Sequence, residues 1–228
     1  MPTSTKTQSS SKQILLPFGE YLPLEKEFPW LRIIFPEAGN YEIENQLTLL
    51  PYTLKKDYAY NPKKNFSIES IQMINSPELI LQNLADEKEL EQRNFLGLIC
   101  YEAMYTNLVW DFFRQHKDID FIINSTNDSW FGNYLENYQH DSVVKLRGVE
   151  FGRYFIRATL NGVTTSYNHL GEEIIPPSII DAKTFRLVDA KVLKEKTFYA
   201  EYGSILTWIM SFLLLVLQYS TSKKSRRV

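Results

Sequence analysis

Phe95-Leu96-Gly97-Leu98-Ile99-Cys100-Tyr101-Glu102 is an apolar run that rises to the only cysteine of the 228-residue chain and stops there. Short apolar runs bounded by polar residues read as buried strands. A cysteine at the tip of such a strand, followed at once by Tyr101 and Glu102, sits where a strand hands over to a helix. That placement suits a nucleophile held on a tight turn. It also suits a small buried core residue, the usual fate of a free cysteine. The flanking segments move the balance toward the nucleophile.

The chain is long enough for one sizeable domain with a real core. Its formal net charge of −2 gives no electrostatic footprint for nucleic acid. A single cysteine excludes an intrachain disulfide, so disulfides say nothing about the compartment. No cofactor and no metal is expected. Residues 1–11 are rich in Ser, Thr, Gln and Lys and lack an apolar core, which predicts a disordered lead and no secretory signal. The other end differs. Ile205–Tyr219 carries no charged residue and is followed by Lys223, Lys224, Arg226 and Arg227. This pattern predicts a transmembrane helix over 203–220, with Tyr199 and Tyr202 at the interface and a basic cytoplasmic tail over 221–228. A buried core helix is the alternative reading.

Upstream of the cysteine, Lys12 leads a short apolar strand, Ile14–Leu16, which Pro17 and Gly19 break into a loop carrying Glu20. A lysine leaning into a core needs an anionic partner, and Glu20 and Glu102 are the candidates. Residues 26–94 are punctuated by Pro29, Pro36, Pro51, Pro62 and Pro77. Within them Ile68–Ile74 alternates like a half-exposed strand, and Leu79–Glu91 fits an amphipathic helix. The stretch reads as an insertion on a core fold. Downstream, Tyr105–Gln115 reads as a helix and Ile119–Asn124 as a second buried strand. The loop Ser125–Gly132, small and polar apart from Trp130 and Phe131, has the composition of a binding loop. Glu136–Gly152 reads as a helix and Tyr154–Thr159 as a strand. Asn161-Gly162 is a hairpin turn, Val163–Tyr167 the return strand and His169–Glu172 the next turn. Phe185–Val188 is a last strand candidate. Strands alternating with helices argue for a layered α/β domain.

Five blocks stand in order: KQILLPFGEYLPLE, GLICYEAMY, INSTNDSWFGN, QHDSVVKLRGVEFGRYFIRATLNGVT and TFYAEYGS before an apolar helix. Together they resemble the C-terminal part of the apolipoprotein N-acyltransferases, the membrane branch of the nitrilase superfamily. The resemblance implies an αββα sandwich, incomplete at its N-terminal side, over residues 12–200. It implies Cys100 as nucleophile, Lys12 as stabiliser of thiolate and oxyanion, and Glu20 and Glu102 as supporting acids. It implies that Tyr101, Trp130 and Phe131 lie on the substrate side, although ordinary core or interface packing accounts for Trp130 and Phe131 equally well. The family's general-base glutamate lies well before the lysine, whereas the eleven residues before Lys12 contain no Asp or Glu. The chain is therefore expected to be the C-terminal half of an enzyme: a truncated product, a fragment or one piece of a split protein.

The residue types carry the same chemistry by themselves. A thiol becomes a good nucleophile as thiolate. A nearby ammonium favours that form and can stabilise a developing oxyanion. A carboxylate must accept the thiol proton and later activate the acceptor amine. The reaction that the resemblance implies moves a fatty acyl group from a phospholipid to the cysteine. From there it passes to the N-terminal amine of a diacylglyceryl lipoprotein. Expected partners are a phospholipid donor, a diacylated lipoprotein acceptor, the membrane and a separate N-terminal half. The expected place is the bacterial inner membrane, with the catalytic domain on the extracytoplasmic side. Two other readings stay open, a nitrilase-type amidase and an inactive remnant or partner subunit.

Overall fold

The computed structural model describes residues 10–43, 48–55, 90–132, 135–178, 186 and 188–225. A short helix α1 (Leu31–Ile34) precedes β1 (Leu50–Lys55) and β2 (Leu90–Ile99). A 3-10 turn over Cys100–Met104 leads into α2 (Thr106–Gln115), then β3 (Ile119–Asn127) and a second 3-10 turn, Ser129–Phe131. There follow α3 (Glu136–Phe151), β4 (Tyr154–Leu160), β5 (Thr165–Tyr167), β6 (Glu173–Ile175), α4 (Phe198–Tyr202) and α5 (Ile205–Ser225).

The strands form one sheet in the order β1-β2-β3-β4-β5-β6. Its centre, β2, β3 and β4, is parallel, and β1, β5 and β6 add antiparallel edges. Parallel neighbours need crossover helices, and α2 and α3 supply them. Alternation decides which side chains those helices cover. Leu96, Leu98, Ile122 and Phe155 point to one face and join Val109, Phe112, Phe113, Val144 and Phe151 in a single core. On the opposite face Phe95 stacks on Phe121 at 5.5 Å, with the Tyr52 ring 5.2 Å from Phe121. That face is only half-buried at Phe95 and Phe121.

The expected α/β layering is present in these elements. The expected strand Ile14–Leu16 is not. The segment is irregular, with one isolated bridge between Pro17 and Tyr21. The reason is that its amide groups turn to two carboxylates, described below, and not to a neighbouring strand. The predicted strand Ile68–Ile74 and most of the predicted helix Leu79–Glu91 lie outside the described residues, as do residues 1–9 and two of the four residues of the candidate strand at 185–188.

The expected transmembrane helix over 203–220 needs correction. A helix is present, but among the described residues no helix is long and apolar enough to cross a membrane. At 1.5 Å per residue the apolar run Ile205–Tyr219, before the polar Ser220, Thr221 and Ser222, spans about 22 Å, against about 30 Å of hydrocarbon. The alternative of a buried core helix fails too, since α5 is exposed along its whole described apolar length, with Trp208 at 73% and Phe212 at 66%.

Candidate active site

The site is built where β2 ends. Ile99 is extended, and Cys100 then takes φ +56°, the left-handed region that an L-residue occupies at a cost of about 1–2 kcal/mol. Such strain persists only where surrounding contacts over-determine the backbone, and here they do. The Glu102 side chain folds back under the turn. Its Oε2 accepts the Ile99 amide at 2.8 Å, and its Oε1 accepts the amides of Gln13 at 2.5 Å and Ile14 at 3.2 Å. Glu102 is fully buried. Burial pushes its carboxyl up from the usual range, with the three amide donors and the Lys12 charge acting against that.

The loop 12–21 is tied down by the same contacts. The Tyr101 hydroxyl donates to the Leu15 carbonyl at 2.5 Å. Lys12 Nζ reaches both Glu20 oxygens, at 2.6 and 2.7 Å, and lies 5.0 Å from the centre of the Tyr101 ring. Glu20 also accepts the Leu16 amide at 2.8 Å. The loop can therefore dispense with strand pairing, because its amides at 13, 14 and 16 are satisfied by carboxylates. Burial, then Tyr105 and the Glu20 charge, push the Tyr101 hydroxyl above its ordinary value, so it acts as a neutral donor.

The structure thus brings Lys12, Glu20, Tyr101 and Glu102 into one cluster beside the turn that Cys100 opens. Cys100 is half-buried, not sealed in the core. Trp130 sits on the turn after β3 and is 64% exposed. The Phe131 side chain lies outside the described set. Both carboxylates of the cluster are committed to partners. Among the described residues no group of His, Cys, Asp and Glu is placed to hold a metal ion.

A second set of polar residues lies beneath the turn. Strand register aligns Leu98, Asn124 and Arg157 in one row across β2, β3 and β4, on the helix-covered face. Asn124 Nδ2 donates to the carbonyl of Cys100 at 2.9 Å and to that of Leu98 at 3.3 Å. Arg157 Nη1 donates to Asn124 Oδ1 at 2.7 Å, its Nη2 to Asp128 Oδ2 at 2.5 Å and its Nε to the Val163 carbonyl at 3.2 Å. Asp128 also accepts from Thr126 at 3.0 Å and meets His140 Nδ1 at 3.2 Å. Asn124, Asp128 and Arg157 are all completely buried. Burial alone would raise the Asp128 carboxyl. The His140 hydrogen bond, the Arg157 charge and the Thr126 hydroxyl outweigh it and hold the group below the usual range. Asp128 is therefore an acceptor, and His140 carries its proton on Nδ1. The signal for this set was in the sequence: in IDFIINSTND the buried phase of the alternation passes from Ile122 to Asn124 and Thr126, and in YFIRATL it falls on Arg157.

A half-buried cysteine thus opens a left-handed turn at a strand end, with a lysine and two carboxylates clustered beside that turn. Residues 72–202 match the carbon–nitrogen hydrolase family, and the chain belongs to that family. Within it the sequence fits the C-terminal part of the apolipoprotein N-acyltransferases. It is 35% identical to apolipoprotein N-acyltransferase 1 of Leptospira interrogans over 92% of this chain and 37% of the relative. It is 30% identical to apolipoprotein N-acyltransferase 2 of the same species, over 93% of this chain and 36% of the relative. The enzyme of Pasteurella multocida is 29% identical, over 93% and 33%. The chain spans about a third of the length of these curated relatives.

Proposed function

We propose that the chain carries the nucleophile-bearing part of an apolipoprotein N-acyltransferase. Cys100 attacks the ester carbonyl of a phospholipid, forming an S–C bond while the C–O bond breaks and lysophospholipid leaves. The α-amine of a diacylglyceryl-modified lipoprotein then attacks the thioester, and the thiol is regenerated. Lys12 supplies positive charge for the developing oxyanion. Glu20 holds Lys12, and Glu102 shapes the turn. Tyr101 ties the lysine loop to the turn, and the exposed Trp130 is assigned to meet the acyl chains. The observation that carries this reading is the strained Cys100 turn clamped to the Lys12–Glu20 loop.

The described carboxylates leave the general-base role open. Glu20 is paired with Lys12, and Glu102 is saturated by three amides. A base from elsewhere, in a longer chain or a separate N-terminal half, completes the site. The domain core covers 12–200, with 26–94 as an elaboration. Apolar side chains exposed after Glu20, on the loop and on α1, and along α5, among them Leu24, Trp30, Ile33 and Trp208, support contact with lipid. They suit an enzyme of the bacterial inner membrane that works on the extracytoplasmic side. The test is intact-mass spectrometry of the purified protein in phospholipid micelles with a diacylated lipopeptide. An acyl mass on Cys100, lost in Cys100→Ala, is expected. A turnover that survives Cys100→Ala would overturn the proposal.

A further inference from the structure

We propose that Asn124, clamped by Arg157, is the positioning residue that sets the backbone of the nucleophile. The inference rests on the reading of Cys100 as nucleophile. A left-handed cysteine is held only while something opposes its relaxation toward φ below zero. Glu102 restrains the turn from its amide side. From the carbonyl side, Asn124 Nδ2 is bonded to the Cys100 oxygen at 2.9 Å.

An asparagine amide is ambiguous in isolation, since its oxygen and nitrogen can exchange places. Here the neighbours remove that freedom. Arg157 is a donor only, so the atom it meets at 2.7 Å is Oδ1. The carbonyls of Leu98 and Cys100 accept only, so the atom facing them is the Nδ2 amide. Arg157 is fixed in turn by Asp128 and the Val163 carbonyl. Asp128 is fixed by Thr126 and His140, and the Cβ of any residue replacing Gly162 would fall 2.6 Å from Asp128 Oδ2. The chain of contacts runs from α3 through three strands to the reacting residue. Asn124 touches no substrate; it acts through the turn.

The probe is p-nitrophenyl laurate in detergent micelles. Cys100 attacks its carbonyl, the C–O bond breaks, nitrophenolate leaves and the thiol proton passes to buffer. One equivalent of nitrophenolate should appear as a burst, absent in Cys100→Ala. In Asn124→Ala the burst rate constant should fall on the order of 10²-fold, the scale of an ångström misplacement. The half-saturating ester concentration should stay within about twofold, since no ester contact is lost. Arg157→Lys, which keeps charge but not the fork, should fall about tenfold. Val144→Ala thins the core under the same helix without touching this network, and should burst within about threefold of wild type. Should Asn124→Ala not fold, Asn124→Ser is read in its place. A wild-type burst rate in the Asn124 variant, or equal losses in Asn124→Ala and Val144→Ala, would overturn the inference and leave the nucleophile reading standing. A wild-type protein with no Cys100-dependent burst would overturn both.

Discussion

At Cys100 the usual order of residue stabilities should reverse. Alanine in place of glycine normally favours the folded state by about 0.5–1 kcal/mol. At φ +56° only glycine is free of strain, so Cys100→Gly should unfold at a higher urea concentration than Cys100→Ala. An alanine variant that is the more stable of the two would mean that the turn is relaxed. Asp128 makes a prediction about acid. Its folded value lies below the ordinary 3.8, so it stabilises the fold fully above about that pH and loses the contribution as pH falls through the folded value. Asp128→Asn should cost about 3–5 kcal/mol at pH 7, because Arg157 is left as a buried charge without its partner. The variant's stability should also be flatter than wild type below pH 4, as read by urea unfolding across pH. The cluster members Lys12, Glu20, Tyr101 and Glu102 were legible from residue order and resemblance. Asn124 and Arg157 were passed over, because a polar residue in a strand reads as solvent-facing until the register is known.

From 105 onward α2, α3, β3, β4 and β5 were legible within a residue or three, since their apolar periods are clean, whereas β6 and α4 were not foreseen. The observed α2, α3, β3 and β4 follow the predicted spans closely, and Asn161, at φ +55°, makes the expected turn between β4 and β5. Ile14–Leu16 misled because a three-residue apolar run does not say where its amides bond. The end of α3 is set by Gly152, whose φ of +63° lets its amide reach back to the carbonyls of Gly148 and Val149. A Cβ there would come within 2.9 Å of the Thr197 methyl at the start of α4. Gly152→Ala should therefore destabilise by more than the ~1 kcal/mol of left-handed strain alone, measured as a drop in urea midpoint. For α5, the run of uncharged residues was legible but its reach was overread. An apolar helix that stops short of a bilayer's width can still lie in the headgroup boundary. Phospholipid vesicles should shift the emission of Trp208 to the blue, and a spectrum unchanged by vesicles would remove lipid as the partner of α5.

Taken as a whole molecule, the sheet has its helices on one side and the half-buried Tyr52, Phe95 and Phe121 rings on the other. The αββα sandwich expected from the resemblance would place a further sheet over those rings. With Glu20 and Glu102 both committed, the protein alone should transfer acyl groups about 10²–10⁴-fold more slowly than a site with a positioned base. Turnover near that of a complete enzyme, dependent on Cys100 in the lipopeptide assay, would show that one of these carboxylates changes partner. The clamp between the lysine loop and the cysteine turn has a further consequence, in the order of folding. Its bonds join residues 86 and 89 positions apart in sequence, whereas α2, α3 and the hairpin of β4 and β5 close over short spans. Loop closure is paid in entropy before such distant contacts give any return. The sheet and its helices should therefore form first, and the loop should dock after the rate-limiting step. Tyr101→Phe, which deletes the bond to Leu15, should leave the refolding rate nearly unchanged and speed unfolding. Chevron kinetics would show it as a raised unfolding arm over an unmoved refolding arm, with the clamp on the cysteine turn closing after the sheet and opening before it.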